Sequence, residues 1–432
     1  MKAILRSMGY IVLMGIIFFN LGCGQNSFKT QDSAPVGLGA QVNSSLPNAS
    51  VLGQTIQSVS ASSFGTTCVL NGLGHIACFG YGGYDTLGIE VYSQSNPILL
   101  DSNTIYKKIS VGVTNTCGIT SAGILKCLGM AGALGNGSMS ISLVPVVADP
   151  GETYSDISVG QAYGCGITTS GVLKCWGFNN NGQLGSGVVL ADFVLSPQIV
   201  DPGVKYTQVS SRGNSTCAIT SLGALKCWGY LVKSASLASY NSQIYSNVFY
   251  ASEPTPLLID PGVSYQYVNA GTDGTNCGIT NTGVLKCWGS NDSGQLGDGT
   301  RVAQLTPEEI DMGVKYTKVI SAGWSATCGI TSIGVLKCWG ASNSFYTADG
   351  AAPAAIVTTP TVVDAGVAYS DIAIGAGQGA NLVTTRGGLN YICGVTTSGG
   401  LRCIGNNNLG QLGDGSFTNK YSFENLSPFA HF

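Results

Sequence analysis

Charge and histidine are what this sequence has least of. Of 432 residues, 19 are Lys or Arg, 22 are Asp or Glu and two are His. Charged residues make up 9% of the chain, against roughly 25% in an average soluble domain. A net charge of −3 without a basic block leaves no electrostatic footprint for a polyanion, which excludes nucleic-acid binding. His75 and His431 are too few and too far apart in sequence for a His-based triad or a His metal site, so no catalytic residue, metal or cofactor is expected. Carboxylates show no recurring close pairs, which argues against acid–base catalysis and for a protein that is not an enzyme. Apolar residues at 44% can still bury a core, which excludes a disordered chain. Gly and Cys are the abundant residues, at 62 and 15. Glycine without a G-X-Y period excludes collagen and indicates many tight turns between short strands. An odd number of cysteines leaves one to be explained.

The N-terminus sets the compartment. Residues 1–22 read as a signal peptide, with Lys2 and Arg6 ahead of an apolar run, Tyr10–Phe19, that is too short to span a bilayer. Asn20-Leu21-Gly22-Cys23 resembles a bacterial lipobox, with Leu21 one place late and Asn20 where a Leu usually stands. That resemblance implies lipidation of Cys23, and Gly24 in place of a retaining Asp implies sorting to the outer membrane. Ordinary cleavage after Gly24 is the alternative. Residues 23–50 form a lipid-anchored tether rich in Ser, Asn, Gln, Gly and Pro, with a reach on the order of 30 Å. Residues 51–432 are the folded domain. The chain is thus expected to be an exported lipoprotein at the outer membrane or cell surface, with the periplasmic side as the other location.

Fourteen cysteines recur as seven C-x9-C pairs: Cys68/Cys78, Cys117/Cys127, Cys165/Cys175, Cys217/Cys227, Cys277/Cys287, Cys328/Cys338 and Cys393/Cys403. Their period of about fifty residues marks a repeat architecture. The sixth residue after each first Cys is Gly, as a three-residue hairpin loop ending in a left-handed residue requires. With Ser121-Ala122-Gly123 as the loop, Thr120 faces Ile124, Ile119 faces Leu125 and Cys117 faces Cys127. Directly opposed residues on one sheet face lie inside the disulfide window, so each pair closes within its own hairpin. Such a bridge contributes about 2–3 kcal/mol at best. Small buried thiols and a zinc site fit an exported chain less well. Cys23 remains, and lipidation accounts for it.

Around the hairpins a Y-x-x-V/I-S strand recurs before the pair, as at 154–158 and 206–210, and a P-x-x-V/I-D strand with a turn recurs after it, as at 197–201 and 256–260. Four short strands per unit, seven times, make a propeller pattern rather than a sandwich. The tight D-P-G turn predicts that the strands flanking it are hairpin neighbours, so that sheets are offset from sequence units. The last strand, 420–426, would then join the first three and close the ring. Trp176, Trp228, Trp288 and Trp339 read as core between sheets. The recurring Lys126, Lys174, Lys226, Lys286 and Lys337, with Arg402, read as stems packed across the sheet. Asp101, Asp149, Asp201, Asp260, Asp311 and Asp364 read as turn residues.

The phrase C-G-I-T-x-x-G-x-L-K-C-W-G followed by N-x-x-G-Q-L-G-x-G, as at 165–187 and 277–299, resembles the repeat of the RCC1 (regulator of chromosome condensation) family. The resemblance implies an all-β, seven-bladed β-propeller over the folded domain, with the intra-hairpin disulfides added. The G-Q-L-G loop is intact in units three, five and seven and altered elsewhere.

Antiparallel order puts the S-x-G and D-P-G turns on one face and the variable loops on the other. Variation independent of the scaffold marks a recognition face. Candidate binding residues there are Tyr230, Tyr240, Tyr245, Phe249 and Tyr250 in the 230–253 insertion, Phe345 and Tyr346 in unit six, and Arg386 in the 376–392 insertion. The competing reading is that these aromatics pack the loops onto the propeller. The expected function is protein binding or scaffolding by a monomer at the cell envelope, with an unknown protein or glycan as partner. Relatives in the family suggest two alternatives, a β-lactamase-inhibitor type of propeller and a guanine nucleotide exchange factor. The latter would not meet its GTPase outside the cell. A carbohydrate-binding or carbohydrate-active propeller is the remaining alternative; activity would require paired carboxylates in a loop cleft.

Overall fold

The structure, a computed structural model, describes residues 55–83, 87–88, 92–240, 243–272, 274–322, 326–341, 356–376 and 390–426. Short apolar runs broken by Gly turns form 27 strands here, in six antiparallel sheets. The first sheet holds β1 (Ile56–Ala61), β2 (Thr66–Asn71), β3 (Ile76–Tyr81) and β4 (Ser93–Leu99). The second holds β5 (Tyr106–Val111), β6 (Asn115–Thr120), β7 (Leu125–Gly129) and β8 (Ser142–Val147). The third holds β9 (Tyr154–Val159), β10 (Tyr163–Thr168), β11 (Leu173–Asn179) and β12 (Leu190–Ile199). The fourth holds β13 (Tyr206–Arg212), β14 (Ser215–Thr220), β15 (Leu225–Tyr240) and β16 (Gln243–Ile259).

A seven-stranded sheet follows, with β17 (Tyr265–Ala270), β18 (Thr275–Thr280), β19 (Val284–Gly289), β20 (Gln304–Ala322), β21 (Ala326–Thr331), β22 (Leu336–Gly340) and β23 (Val357–Val362). The last sheet holds β24 (Tyr369–Ala376), β25 (Asn390–Thr396), β26 (Leu401–Gly405) and β27 (Lys420–Asn425). Residues of β1, β5, β9, β13, β17, β20 and β24 line one central cavity, as the innermost strands of a propeller do.

The hairpins have the register that their turns dictate. Cys117 faces Cys127 and Ile119 faces Leu125, while the Gly123 N–H closes the loop on the Thr120 carbonyl at 2.8 Å. The same opposition places a disulfide in every hairpin. Cys68 is bonded to Cys78 across β2 and β3, Cys117 to Cys127 across β6 and β7, and Cys165 to Cys175 across β10 and β11. Cys217 is bonded to Cys227 across β14 and β15, and Cys277 to Cys287 across β18 and β19. Cys328 to Cys338 and Cys393 to Cys403 complete the set, across β21 and β22 and across β25 and β26. Their Cα atoms lie 4.1–4.2 Å apart, slightly closer than the ~4.5 Å of an unbridged opposed pair.

Two topological expectations are corrected. The strands flanking a D-P-G turn do not pair: β8 and β9 belong to different sheets, as do β12 and β13. Apart from the seven-stranded sheet, which spans units five and six, sheets coincide with sequence units, and β27 pairs with β26 rather than joining β1–β3. The cause is local. Asp149, Asp201, Asp260 and Asp364 sit at φ 50–53°, with Gly203 at 90° beyond Asp201. This left-handed Asp corner, tolerated because Asp is short and polar, turns the chain out of one sheet and into the next. The same corner lies inside β20, at Asp311 (φ 55°) and Gly313 (φ 83°). On one side of it, Gln304–Ile310 pairs with β19; on the other, Tyr316–Ala322 pairs with β21.

Successive units pack through a Trp. Trp176 is buried among Cys117, Ile119 and Leu125 of the preceding unit, Trp228 among Cys165, Ile167 and Leu173, and Trp339 among Cys277, Ile279 and Leu285. Their indole N–H groups donate to the carbonyls of Ala133, Gln183 and Gln295 at 2.9–3.1 Å. The Gln of the G-Q-L-G loop therefore serves the scaffold, by accepting from the next unit's indole. Trp288 occupies the equivalent place against unit four.

Candidate binding face

Between consecutive units the structure assembles a polar triad whose members look unrelated in the sequence. The Asp of each corner accepts a hydrogen bond from the Tyr five residues on and from the Lys of the next hairpin. In one such junction Tyr206 and Lys226 each reach Asp201 at 2.6 Å. Equivalent sets are Asp101/Tyr106/Lys126, Asp149/Tyr154/Lys174, Asp260/Tyr265/Lys286 and Asp311/Tyr316/Lys337. Arg402 replaces Lys in the set with Asp364 and Tyr369.

The Tyr ring also explains the Gly opposite four of the five Lys residues: a Cβ on Gly118 would lie 2.7 Å from Tyr106, and Ala218 stands in that place opposite Lys226. Burial, together with the neighbouring carboxylate, pushes these phenols above their usual range. Burial tends to raise Asp101 and Asp201, but hydrogen bonds from Thr104, Lys126 and Tyr106 to the first and from Lys226 and Tyr206 to the second outweigh it and hold both carboxyls below the ordinary value. The recurrent Asp, Lys and Tyr are thus consumed by the junctions between units. The sequence signal for the triad is the constant D-x4-Y spacing.

The bridged cysteines are likewise scaffold and not part of a site. Cys68 and Cys78, Cys117 and Cys127, Cys165 and Cys175, and Cys217 and Cys227 are all fully buried. So are Cys277 and Cys287, Cys328 and Cys338, and Cys393 and Cys403. Each pair sits in the apolar cluster of its blade, where no ligand reaches the sulfur atoms.

The opposite face carries the irregularity. The 230–253 insertion, expected as a loop, is instead a two-stranded ribbon in which β15 and β16 stay paired out to Tyr240↔Gln243. A bulge between Val232 and Ser234 sets Lys233 apart, and Lys233 pairs with Glu253 at 2.8 Å. Beyond that ion pair, residues 234–252 contain no charged side chain.

The candidate aromatics divide by position. Tyr230 stacks on Tyr250 with centroids 4.9 Å apart, and the Tyr250 hydroxyl shares a 2.7 Å hydrogen bond with Ser290 of the next unit. Those two fasten the base of the ribbon to the propeller. Phe249 stands 59% exposed. Tyr240 and Tyr245 lie on the paired backbone of the ribbon, and their side chains lie outside the described residues. Phe345, Tyr346, Arg386 and Cys23 also lie outside the described residues.

Carboxylates of the intact G-Q-L-G loops have structural partners. Asp298 accepts from Asn291 at 3.1 Å and from Thr300 at 2.8 Å; Asp414 accepts from Asn407 at 2.9 Å and pairs with Lys420 at 3.3 Å. Burial works to raise Asp414, and bonds from Ser416, Asn407 and Lys420 lower it on balance.

The family model described as "Regulator of chromosome condensation (RCC1) repeat" matches residues 283–330, and a second model of that description matches residues 154–183. The ultraviolet-B receptor UVR8 of Arabidopsis thaliana is 26% identical over 166 residues, 38% of this chain and 36% of the receptor. The E3 ubiquitin-protein ligase HERC2 of Homo sapiens is 26% identical over 160 residues, 35% of this chain and 3% of the ligase. The chain therefore matches only a minor part of either relative's length. Among solved structures, yeast RCC1 (Prp20) bound to Kap60 gives a TM-score of 0.63 at 14% identity, covering 94% of this chain and 91% of that one. Human WBSCR16 gives 0.61 at 20% identity, covering 74% and 85%. At these identities the structural likeness establishes the fold alone.

Proposed function

Because the chain is an RCC1-repeat protein, we propose that it is a seven-bladed, non-enzymatic binding module of the cell envelope that captures a protein through its variable face. In support of the proposed count of seven, dividing the seven-stranded sheet at the Asp311 corner would give each disulfide hairpin its own four-stranded blade. Yeast RCC1 in complex with Kap60 supports a propeller of this form as a holder of protein partners.

The observation that carries the reading is the ribbon. A scaffold needs no 16-residue β15 paired with a 17-residue β16, and an uncharged ribbon bearing an exposed Phe249 suits contact by shape and aromatic burial. In this reading Cys23 carries the lipid, residues 24–50 are the tether, and the monomeric propeller stands at the outer membrane or cell surface.

Two measurements test it. Cross-linking in intact cells is expected to capture a partner with the full chain and to lose it when residues 234–249 are replaced by Asn-Gly, so that Lys233-Asn-Gly forms a three-residue hairpin loop on the Val232↔Tyr250 pair and the base of the ribbon is kept. Undiminished capture by the shortened chain would reject the face. Membrane fractionation is expected to release a Cys23→Ala chain into the soluble fraction, and retention of that variant rejects the anchor.

A further inference from the structure

The central cavity has a volume of about 450 Å3, within the ~300–1,000 Å3 usual for small-molecule sites. Its character follows from counting donors and acceptors on its wall. Position 2 after each junction Tyr, the same place on every innermost strand, is filled differently around the ring, and four of those residues are charged: Lys108, Asp156, Lys318 and Asp371.

The two carboxylates are already mostly spent. Asp156 accepts from the backbone N–H groups of Ile157 and Val209, both at 2.9 Å, and from Lys108. Asp371 accepts from Ile372 at 2.9 Å and Val59 at 3.0 Å, and from Lys318. One backbone amide of the same strand, one of the next unit and one Lys thus take three of the roughly four acceptor sites of each carboxylate.

The donors are not spent. An ammonium group has three N–H bonds, and each Lys commits one to its Asp. Their side chains remain 44% and 26% exposed toward the cavity they line. The Lys108 charge reaches Lys318, since burial and then that charge push Lys318 down to about 8. Tyr267 lines the same space, and among the described residues its hydroxyl has no hydrogen-bond partner. At the end reached by the variable loops, Arg212 bonds the carbonyls of Ala61 at 3.2 Å and Ile374 at 2.7 Å, which adds positive charge there. With Lys107, the cavity wall carries four cationic and two anionic residues, in a chain whose net charge is −3.

We propose that this cavity binds a small multi-oxygen anion, of the phosphate or polycarboxylate class, between the Lys108 and Lys318 ammonium groups with the Tyr267 hydroxyl as a further donor. Such an anion supplies the acceptors that the wall lacks. The site is separate from the ribbon and stands whether or not the ribbon captures a partner.

Isothermal titration of the full chain, with inorganic phosphate and separately with citrate, tests the proposal and tells the two sources apart. At least one anion is expected to bind saturably at one site, about tenfold or more weaker in Lys108→Met or Lys318→Met. Tyr267→Phe removes one donor without breaking an ion pair, and is expected to weaken binding severalfold at an unchanged melting temperature. This variant keeps the test decisive if a Lys substitution unfolds the chain. Absence of saturable binding by both anions, or wild-type affinity in Tyr267→Phe and Lys108→Met together, overturns the site.

Discussion

Two kinds of junction hold the ring together, and they are built from different chemistry. Between consecutive units a Tyr lies over a Gly and joins Lys on the corner Asp, as Tyr265, Gly278, Lys286 and Asp260 do, with Ala218 in the Gly place at one junction and Arg402 in the Lys place at another. Where the last sheet meets the first, all three register positions change together. Ile56 stands in the Tyr place, Val69 in the Gly place and Ala77 in the Lys place.

The exchange conserves volume: a smaller side chain than Tyr leaves room for a Cβ where Gly was needed. It also removes the polar triad. In its place a cluster of Ile56, Val59, Val69 and Phe79 packs against Tyr391, Val395 and Leu401. Two contacts of the ordinary junctions persist at the seam: Tyr391 bonds Thr67 at 2.8 Å as Tyr163 bonds Thr216 at 3.0 Å, and Asp371 receives the Val59 N–H as Asp156 receives that of Val209. The difference has a physical reason. Consecutive units are joined by the chain through the Asp corner and cannot drift apart, so a partly exposed ion triad suffices as a positioning device. The first and last sheets share no covalent link at their seam. Burial of apolar surface must supply that cohesion.

The largest expected effect tests this contrast. Phe79→Ala empties a fully buried site at the seam and should cost about 3–5 kcal/mol, as Trp228→Ala should at an ordinary junction. The two are expected to differ in where they open. Hydrogen exchange should rise selectively in β1, β2, β24 and β25 for Phe79→Ala, because nothing covalent holds those sheets together once the cluster is broken. The Trp228→Ala chain should instead exchange faster without separating at the seam. Identical exchange maps in the two variants would remove the distinction between seam and junction.

Much of this architecture is legible from local chemistry. The S-x-G turn dictates the register of Cys117 with Cys127, and spacing then dictates the disulfides. What is not legible requires contact between units. Asp201 looks like a turn residue and Lys226 like a stem because their meeting depends on how one sheet packs on the next. The corner misleads for a similar reason: D-P-G suits a hairpin, and only the left-handed Asp reveals a turn out of the sheet. The ribbon lacks a loop's composition throughout, since an uncharged stretch with recurring apolar and aromatic residues pairs readily as strands. The cavity is invisible in the sequence because its wall draws on all seven units, and the residues at one equivalent position, Ser58, Lys108, Asp156, Gln208, Tyr267, Lys318 and Asp371, do not repeat a single type.

The junction triads give the smaller effects, and their pH dependence sharpens the comparison further. Asp201→Ala leaves Lys226 and the Tyr206 hydroxyl without their acceptor and should cost about 2 kcal/mol, while Tyr206→Phe should cost about 1 kcal/mol. The carboxyls of Asp101 and Asp201 are held below the ordinary carboxylate value in the folded chain. Their contribution is therefore present above pH ~4 and is lost as pH falls through the lowered folded-state value. Denaturant melts between about pH 7 and about pH 3 should show that loss in the parent chain and a shallower one in Asp201→Asn, which cannot titrate at that position. Phe79→Ala should run parallel to the parent across the same range, displaced downward, because it removes apolar burial and leaves these carboxyls in place. If it instead flattened the acid limb as Asp201→Asn does, the seam would be coupled to the triads and the two kinds of junction would be one.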